Sequence, residues 1–202
     1  LVDSDNAYLN LFRDFLAKHQ KEIKEDILLK IVGADTRMTW NYMSMLWGPQ
    51  DPPEYIRQLF HSEYPDEAVD YRDYLFPGIP DLLDQLKAQG YTLALASSSK
   101  KKAIHRMLKE NELECYFNII VSGEDFKESK PNPEIYHDTR AKLQLAPEEC
   151  LIVEDSSYGI QAGKAAGMEV VAIKDTQFSF DQSAADYFID KTTDLINLLP
   201  LI

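Results

Sequence analysis

Glu154 and Asp155 are adjacent carboxylates directly behind the branched apolar run Leu151-Ile152-Val153 and directly before two serines. Such a run, bounded by polar residues, suits a strand buried on both faces of a parallel sheet. The stretch from Ser156 to Gly167 suits a helix with Ser156 as cap and Gly167 as stop. The acids then sit at the carboxyl edge of a sheet, where open α/β folds bind ligands. Two carboxylates held there by a rigid strand can share a hard divalent cation such as Mg2+. The positive end of the following helix also accounts for both acids, at about 0.3–1 kcal/mol each. Taken alone, that second reading is the better one.

Two other places carry chemistry. Ser97 ends an apolar run and precedes a helical pattern, so its hydroxyl and the following backbone N–H groups, with Ser98 next in line, could hold a phosphate at a helix N-terminus. A run of serines competing to cap that helix is equally plausible. Lys100, Lys101 and Lys102 are a basic cluster in an acidic chain, best read as a solvated helix face. Lys130 precedes Pro131, which disfavours helical geometry at the lysine and frees its ammonium to point away from a helix that Asn132 caps and Pro133 begins. By itself such a lysine is a solvent-facing loop residue.

These residues need elements to position them. From about Leu75 onward, apolar runs alternate with amphipathic helical patterns: a helix through Leu82, Leu83 and Leu86, a strand Tyr91–Ala96, a helix with Ile104, Met107 and Leu108, and a strand around Phe117–Gly123. A helix from Pro133 to Leu143, the Leu151 strand, Val170–Ile173 and Tyr187–Ile189 complete the series. The alternation predicts an α/β fold, a Rossmann-like parallel sheet with helices on both faces. Residues 5–74 differ. Tyr8, Leu11, Phe12, Phe15, Leu16 and His19 recur at three and four, and Ile23–Ile31, Met38–Trp47 and Pro53–Tyr64 give three further helical segments. The expected domains are therefore an α/β core of residues 1–4 and 75–202 and a small all-α domain of residues 5–74. Trp40, Tyr42, Met43, Met45 and Trp47 are read as core of the helical part rather than as a pocket lining.

Composition narrows the function. The chain has 202 residues, 45% of them hydrophobic, and a formal charge of −13. That charge argues against a nucleic-acid partner. No run approaches the roughly 20 apolar residues of a membrane span, and the first residues have no signal pattern, so no membrane association and a cytoplasmic location are expected. Cys115 and Cys150 are expected to be buried free thiols, and the four histidines have no ligand spacing.

In order along the chain stand Leu1-Val2-Asp3-Ser4, Phe76-Pro77-Gly78-Ile79, Ala94-Leu95-Ala96-Ser97-Ser98-Ser99, Ser129-Lys130-Pro131-Asn132-Pro133-Glu134, and Val153-Glu154-Asp155-Ser156 with Gly159-Ile160. This succession resembles the haloacid dehalogenase superfamily, specifically the phosphatases and β-phosphoglucomutases with a helical cap inserted after the first motif. The resemblance covers essentially the whole chain. It implies residues 5–74 as the cap, Ser97 and Lys130 as catalytic and phosphate-binding, Ser98 as phosphate-binding, and Asp155 as Mg2+ ligand with Glu154 supporting directly or through water. A dehalogenase needs no such metal pair, so Glu154-Asp155 favours phosphate chemistry.

The departure is at the front. In the family a nucleophilic Asp, and a second Asp acting as general acid and base, lie immediately upstream of the Leu-Val-Asp-Ser tail, on a strand in the middle of the sheet. Neither is in this sequence, so an upstream segment carrying both is expected, and the chain without it is expected to be inactive. The resemblance implies a Mg2+-dependent phosphatase of small phosphorylated metabolites, acting through an aspartyl phosphate as a monomer or weak homodimer. The alternatives are a β-phosphoglucomutase-type mutase and a non-catalytic binding protein. Mutase members resemble one another in carrying a His on the first cap helix; that position here is Tyr8, which is read as part of the apolar stripe.

Overall fold

The computed structural model describes residues 1–34, 36–65 and 68–201. Within it the chain forms two compact units, Val2–Leu75 and Leu1 with Phe76 onward.

The first unit is helical. Helix α1 (Ser4–Lys18) starts where the Asp3 carboxylate accepts the Asn6 N–H at 3.1 Å, and it buries Ala7, Leu9, Phe12, Phe15 and Leu16. A short α2 (Glu25–Leu28) runs into a 3-10 turn at Leu29–Ile31, followed by α3 (Thr36–Trp47) and α4 (Pro53–Glu63). Aromatic side chains fill the centre: Phe15 stacks on Trp47 at 5.0 Å and meets Phe60 edge-on at 5.3 Å, while Phe12 meets Trp40 edge-on at 5.9 Å. Offset and edge-on pairs of this kind add about 0.5–1.5 kcal/mol each to their area burial. Trp40, Met43 and Trp47 are core as expected, but Met45 is 63% and Tyr8 42% exposed. By spacing Tyr8 lies on the same helix face as Phe12 and Phe15, so its exposure is not set by the helical period. The ends of this unit meet where Asp3 N–H donates to the Tyr74 carbonyl at 2.9 Å.

The second unit is α/β. Helix α5 (Ile79–Ala88) follows Gly78, whose φ of 78° is a left-handed conformation that glycine adopts without strain. Strand β1 (Ala94–Ser97), α6 (Lys101–Glu110), β2 (Ile119–Ser122), α7 (Glu134–Leu143), β3 (Leu151–Glu154), α8 (Ser157–Ala165), β4 (Glu169–Ile173), β5 (Tyr187–Ile189) and α9 (Leu195–Leu198) follow in turn. All strand pairs are parallel: β1 with β2, β3 with β4 and β4 with β5. The sheet thus comes in two hydrogen-bonded pieces, β1-β2 and β3-β4-β5. One apolar cluster joins Ala96, Ile119 and Val121 of the first piece to Ile152, Val170 and Ala172 of the second, under Ile135 and Tyr136 of α7 and Ile160 and Ala162 of α8. A second cluster joins Leu93, Leu151 and Val171 to Leu82 and Leu86 of α5 and Leu195 of α9. Helices therefore cover both faces.

Three expectations change. The first strand is shorter than Tyr91–Ala96, because only Ala94–Ser97 finds a ladder partner, in Ile119–Ser122. No serine caps α6: its cap position is Lys100, and the Lys101 N–H goes to the Glu124 carboxylate at 3.1 Å. Both cysteines are free, but Cys115 is exposed and Cys150 only half-buried. Among the described residues no helix is long and apolar enough to cross a membrane.

Candidate active site

Strand β3 delivers Glu154 and Asp155 to its carboxyl end. Ser156 then caps α8, its hydroxyl accepting the Gly159 N–H at 3.0 Å, and Gly167, with φ 76°, follows the end of the helix. The two acids meet different fates. Glu154 turns inward, where Oε1 accepts from Lys130 Nζ at 2.5 Å and from the Tyr136 hydroxyl at 2.8 Å. Oε2 accepts from the N–H groups of Asp155 and Ser156 and from the Ser156 hydroxyl, at 3.1, 3.3 and 3.1 Å. Burial alone would push the Glu154 carboxyl up, but the Lys130 charge and the hydrogen bonds from Lys130, Tyr136 and Ser156 outweigh it and hold the group below its ordinary value.

Asp155 points elsewhere. Among the described residues its carboxylate accepts no hydrogen bond from another residue, and the charges that attract it are the terminal ammonium of Leu1 and Lys130. The residue is open to solvent, yet protein crowds its carboxyl, and together with the Glu154 charge this shifts it upward. Of the two acids, Asp155 is the one whose oxygens remain available to a hard cation. Mg2+ takes one or two carboxylates and keeps several waters, so this donor fits. No cluster of three or more potential ligand side chains exists among the described residues.

Lys130 is nearly buried, its side chain 10% exposed against 11% for Glu154. Besides Glu154, its ammonium donates to the Tyr136 hydroxyl at 2.9 Å and to the Ala96 carbonyl of β1 at 3.4 Å. The last contact places the ends of β1 and β3 beside one ammonium. A buried ion pair survives only when its remaining hydrogen-bonding capacity is met, and Tyr136 and Ser156 meet it here. Burial and the neighbouring Glu154 charge push the Tyr136 phenol well above its ordinary value, so it stays a neutral donor. Asn132 accepts the Glu134 N–H at 2.9 Å, but α7 begins at Glu134 rather than Pro133, so the cap position is Pro133 and not the expected Asn132. The Lys130-Pro131 peptide is cis.

Ser97 stands at the end of β1, paired in register with Ser122, and its hydroxyl accepts the Ser99 N–H at 3.2 Å. Ser98 follows as an exposed residue. The first N–H of α6 is taken by Glu124, so a phosphate at this edge would meet the Ser97–Ser98 turn rather than the helix end.

Sequence reasoning did not single out Tyr136, nor the reason for Gly159. A Cβ at Gly159 would lie 2.0 Å from the Glu154 carboxyl carbon. Only glycine lets α8 start this close to the carboxylate.

Comparisons with known proteins agree with this architecture. The chain is 29% identical over 171 residues to a phosphorylated carbohydrates phosphatase of Thermotoga maritima, covering 84% of this chain and 78% of that protein. It is 28% identical to a phosphoglycolate phosphatase of Aquifex aeolicus, over 98% of this chain and 95% of that protein. A solved structure from Thermotoga maritima, named as a candidate beta-phosphoglucomutase, superposes with a TM-score of 0.80 at 26% identity, covering 100% of this chain and 94% of its own. The sequence profile of the haloacid dehalogenase-like hydrolases matches residues 1–173, and the chain belongs to that family.

Proposed function

We propose that this protein is a Mg2+-dependent phosphatase of small phosphomonoesters, sugar phosphates or related metabolites. The observation that carries the reading is the Lys130 ammonium, held between the Ala96 carbonyl and Glu154, with the Asp155 carboxylate next in sequence. This combines a cation for phosphoryl oxygens with a carboxylate for Mg2+ at one sheet edge. The names of the two curated relatives, both phosphatases, support the substrate class.

In this proposal Asp155 is the direct ligand and Glu154 serves chiefly as the counter-ion that orients Lys130. Bound Mg2+ would screen the repulsion between a carboxylate nucleophile and an anionic phosphate. Ser97 and Ser98 bind phosphoryl oxygens, Lys130 neutralises the transferring group, and residues 5–74 act as the cap. The nucleophilic carboxylate and the general acid and base are assigned to a strand between β1 and β3. Supporting that assignment, β1 is laddered only to β2 and β3 only to β4 among the described residues, and Val153 of β3 is 37% exposed although apolar.

The test is phosphate release by the complete natural protein from a panel of phosphomonoesters, with Mg2+ and then with a chelator. Release that stops with the chelator and returns with Mg2+ supports the proposal. Equal release in both conditions, or none with any phosphomonoester, overturns it.

A further inference from the structure

We propose that Gln182, in the segment between β4 and β5, is a positioning residue for Asp155 and tunes the affinity of the site for its divalent cation. The inference rests on the reading of Asp155 as metal ligand. The Gln182 amide nitrogen donates to the Asp155 carbonyl at 2.6 Å and to the Ile173 carbonyl at 2.8 Å, and its oxygen accepts the Asp175 N–H at 2.9 Å. Two carbonyls on one side and an N–H on the other leave a single orientation for the amide. One side chain thus ties the residue after β3 to the end of β4 and to the loop that follows.

Asp155 needs such a partner. The β3–β4 ladder ends at the pair Glu154 and Ala172, so the Asp155 carbonyl lies beyond the register of the sheet. Gln182 supplies the donor that a longer strand would have supplied. Without it the Asp155–Ser156 peptide is held only through its N–H, which donates to Glu154 Oε2 at 3.3 Å, and the backbone that bears the Asp155 carboxylate loses its tie to β4 and the loop.

The loop that presents Gln182 is itself organised. The Asp175 carboxylate accepts the N–H groups of Gln177, Phe178 and Phe180 at 2.8, 2.9 and 2.7 Å. Phe178 and Phe180 pack against each other with ring centres 5.5 Å apart. Gln182 is therefore held from the loop side as well as from the sheet side. Groups that orient a metal ligand in this way typically change metal affinity by about 10–100-fold when removed.

The experiment uses the complete natural protein and Gln182→Met, which keeps side-chain length and removes the donors and the acceptor. The half-saturating Mg2+ concentration for phosphate release, the Mg2+ dissociation constant by calorimetric titration and the thermal midpoint without metal are measured together. The expected result is an increase of about tenfold in both Mg2+ constants, with turnover recovering at saturating Mg2+. Ser183→Ala, which removes a hydroxyl bonded among the described residues only to Asp181 of the same loop, leaves both constants within about twofold. If Gln182→Met does not fold, Gln182→Asn, too short by one methylene to span both carbonyls, is held to the same expectation. A lowered midpoint or turnover with unchanged Mg2+ constants overturns the inference, as does an equal shift in Ser183→Ala. Asp155→Asn separates the two levels: if it leaves Mg2+ binding intact, the metal-ligand reading itself fails. If it weakens binding while Gln182→Met does not, only the positioning role fails.

Discussion

Gly159 and Glu154 are matched by exclusion: a methyl group on the glycine would sit 2.0 Å from the carboxyl carbon of the acid. An exposed helical Gly→Ala change usually stabilises by about 0.5–1 kcal/mol. Here the sign reverses. Gly159→Ala must displace either the first turn of α8 or the Glu154 carboxylate, and that carboxylate is fixed from both oxygens. The expected cost is about 1–3 kcal/mol by urea unfolding, the range for overpacking a filled site. A stability equal to or above that of the parent would contradict the packing described here.

The Lys130–Glu154 pair makes a pH-dependent prediction. Glu154 is held below its ordinary value in the folded chain, so its contribution to stability is present above the unfolded carboxyl value, about 4.3, and is lost as pH falls through the folded one. Lys130→Met removes the opposing charge and leaves burial to dominate, so the Glu154 value rises. Stability contributed by a raised carboxyl is present below the unfolded value and is lost as pH increases. Lys130→Met is expected to cost about 3–5 kcal/mol at neutral pH, the range for an uncompensated buried charge, and to recover on acidification. Unfolding measured from pH 4 to 8 checks both; a parent-like pH slope in the variant would refute the coupling.

Tyr136→Phe isolates the hydroxyl that closes the triangle between Lys130 and Glu154. Its loss removes one donor to a buried carboxylate, a hydrogen bond worth about 1.5–3 kcal/mol, while the ion pair remains. A destabilisation clearly smaller than that of Lys130→Met is expected in the same unfolding assay. An effect as large as that of Lys130→Met would mean that the phenol, not the ammonium, satisfies Glu154.

What the sequence made legible follows from the range of the interactions involved. Ser156 as cap and Gly167 as stop were readable because each acts on its own helix within a few residues. The strand carrying Glu154 was readable as a continuous apolar run between polar residues, although Val153 within it is 37% exposed rather than buried. The split fates of the two acids were not readable: they depend on Tyr136 and Lys130, which reach Glu154 from another element, and on Gln182, which arrives from a loop. The serines before α6 misled for the same reason, since Glu124 takes the Lys101 N–H from a distant turn. Tyr8 matched the helical spacing of Phe12 and Phe15 but is 42% exposed, since periodicity fixes which face a side chain is on and not what covers it.

Asp155→Asn bears on the metal. In the complete protein it removes a charged oxygen ligand with little change in shape, so Mg2+ affinity and turnover are expected to fall together. Asp3→Asn is the contrast, because Asp3 caps α1 and accepts from Asn6 through both carboxylate oxygens. Losing that charge is expected to cost under about 1 kcal/mol, since an asparagine still caps a helix, and to leave the Mg2+ dependence unaltered. Mg2+ titrations of both variants, read beside their unfolding curves, check the assignment. Parent-like Mg2+ dependence in Asp155→Asn would end the metal-site reading.

Phosphatase and mutase share every motif quoted above and differ in what protects the aspartyl phosphate. A mutase must shield that intermediate from water while a bisphosphate turns over and is captured again. Its relatives resemble one another in placing an imidazole on the first helix after the Leu-Val-Asp-Ser tail. Here the position is Tyr8 on α1, 42% exposed. A phenol with a reference pKa of about 10 is neutral at pH 7 and cannot titrate as an imidazole does near 6.5. The expected outcome is net release of inorganic phosphate rather than isomerisation. The complete protein, incubated with Mg2+, β-glucose 1-phosphate and a trace of the bisphosphate, should yield free phosphate with little glucose 6-phosphate. Tyr8→His should not reduce phosphate release below parent level by more than about threefold, since an exposed surface substitution is worth only about 0.5 kcal/mol in stability. Rapid formation of glucose 6-phosphate by the parent protein, with little free phosphate, would assign this chain to the mutase branch instead.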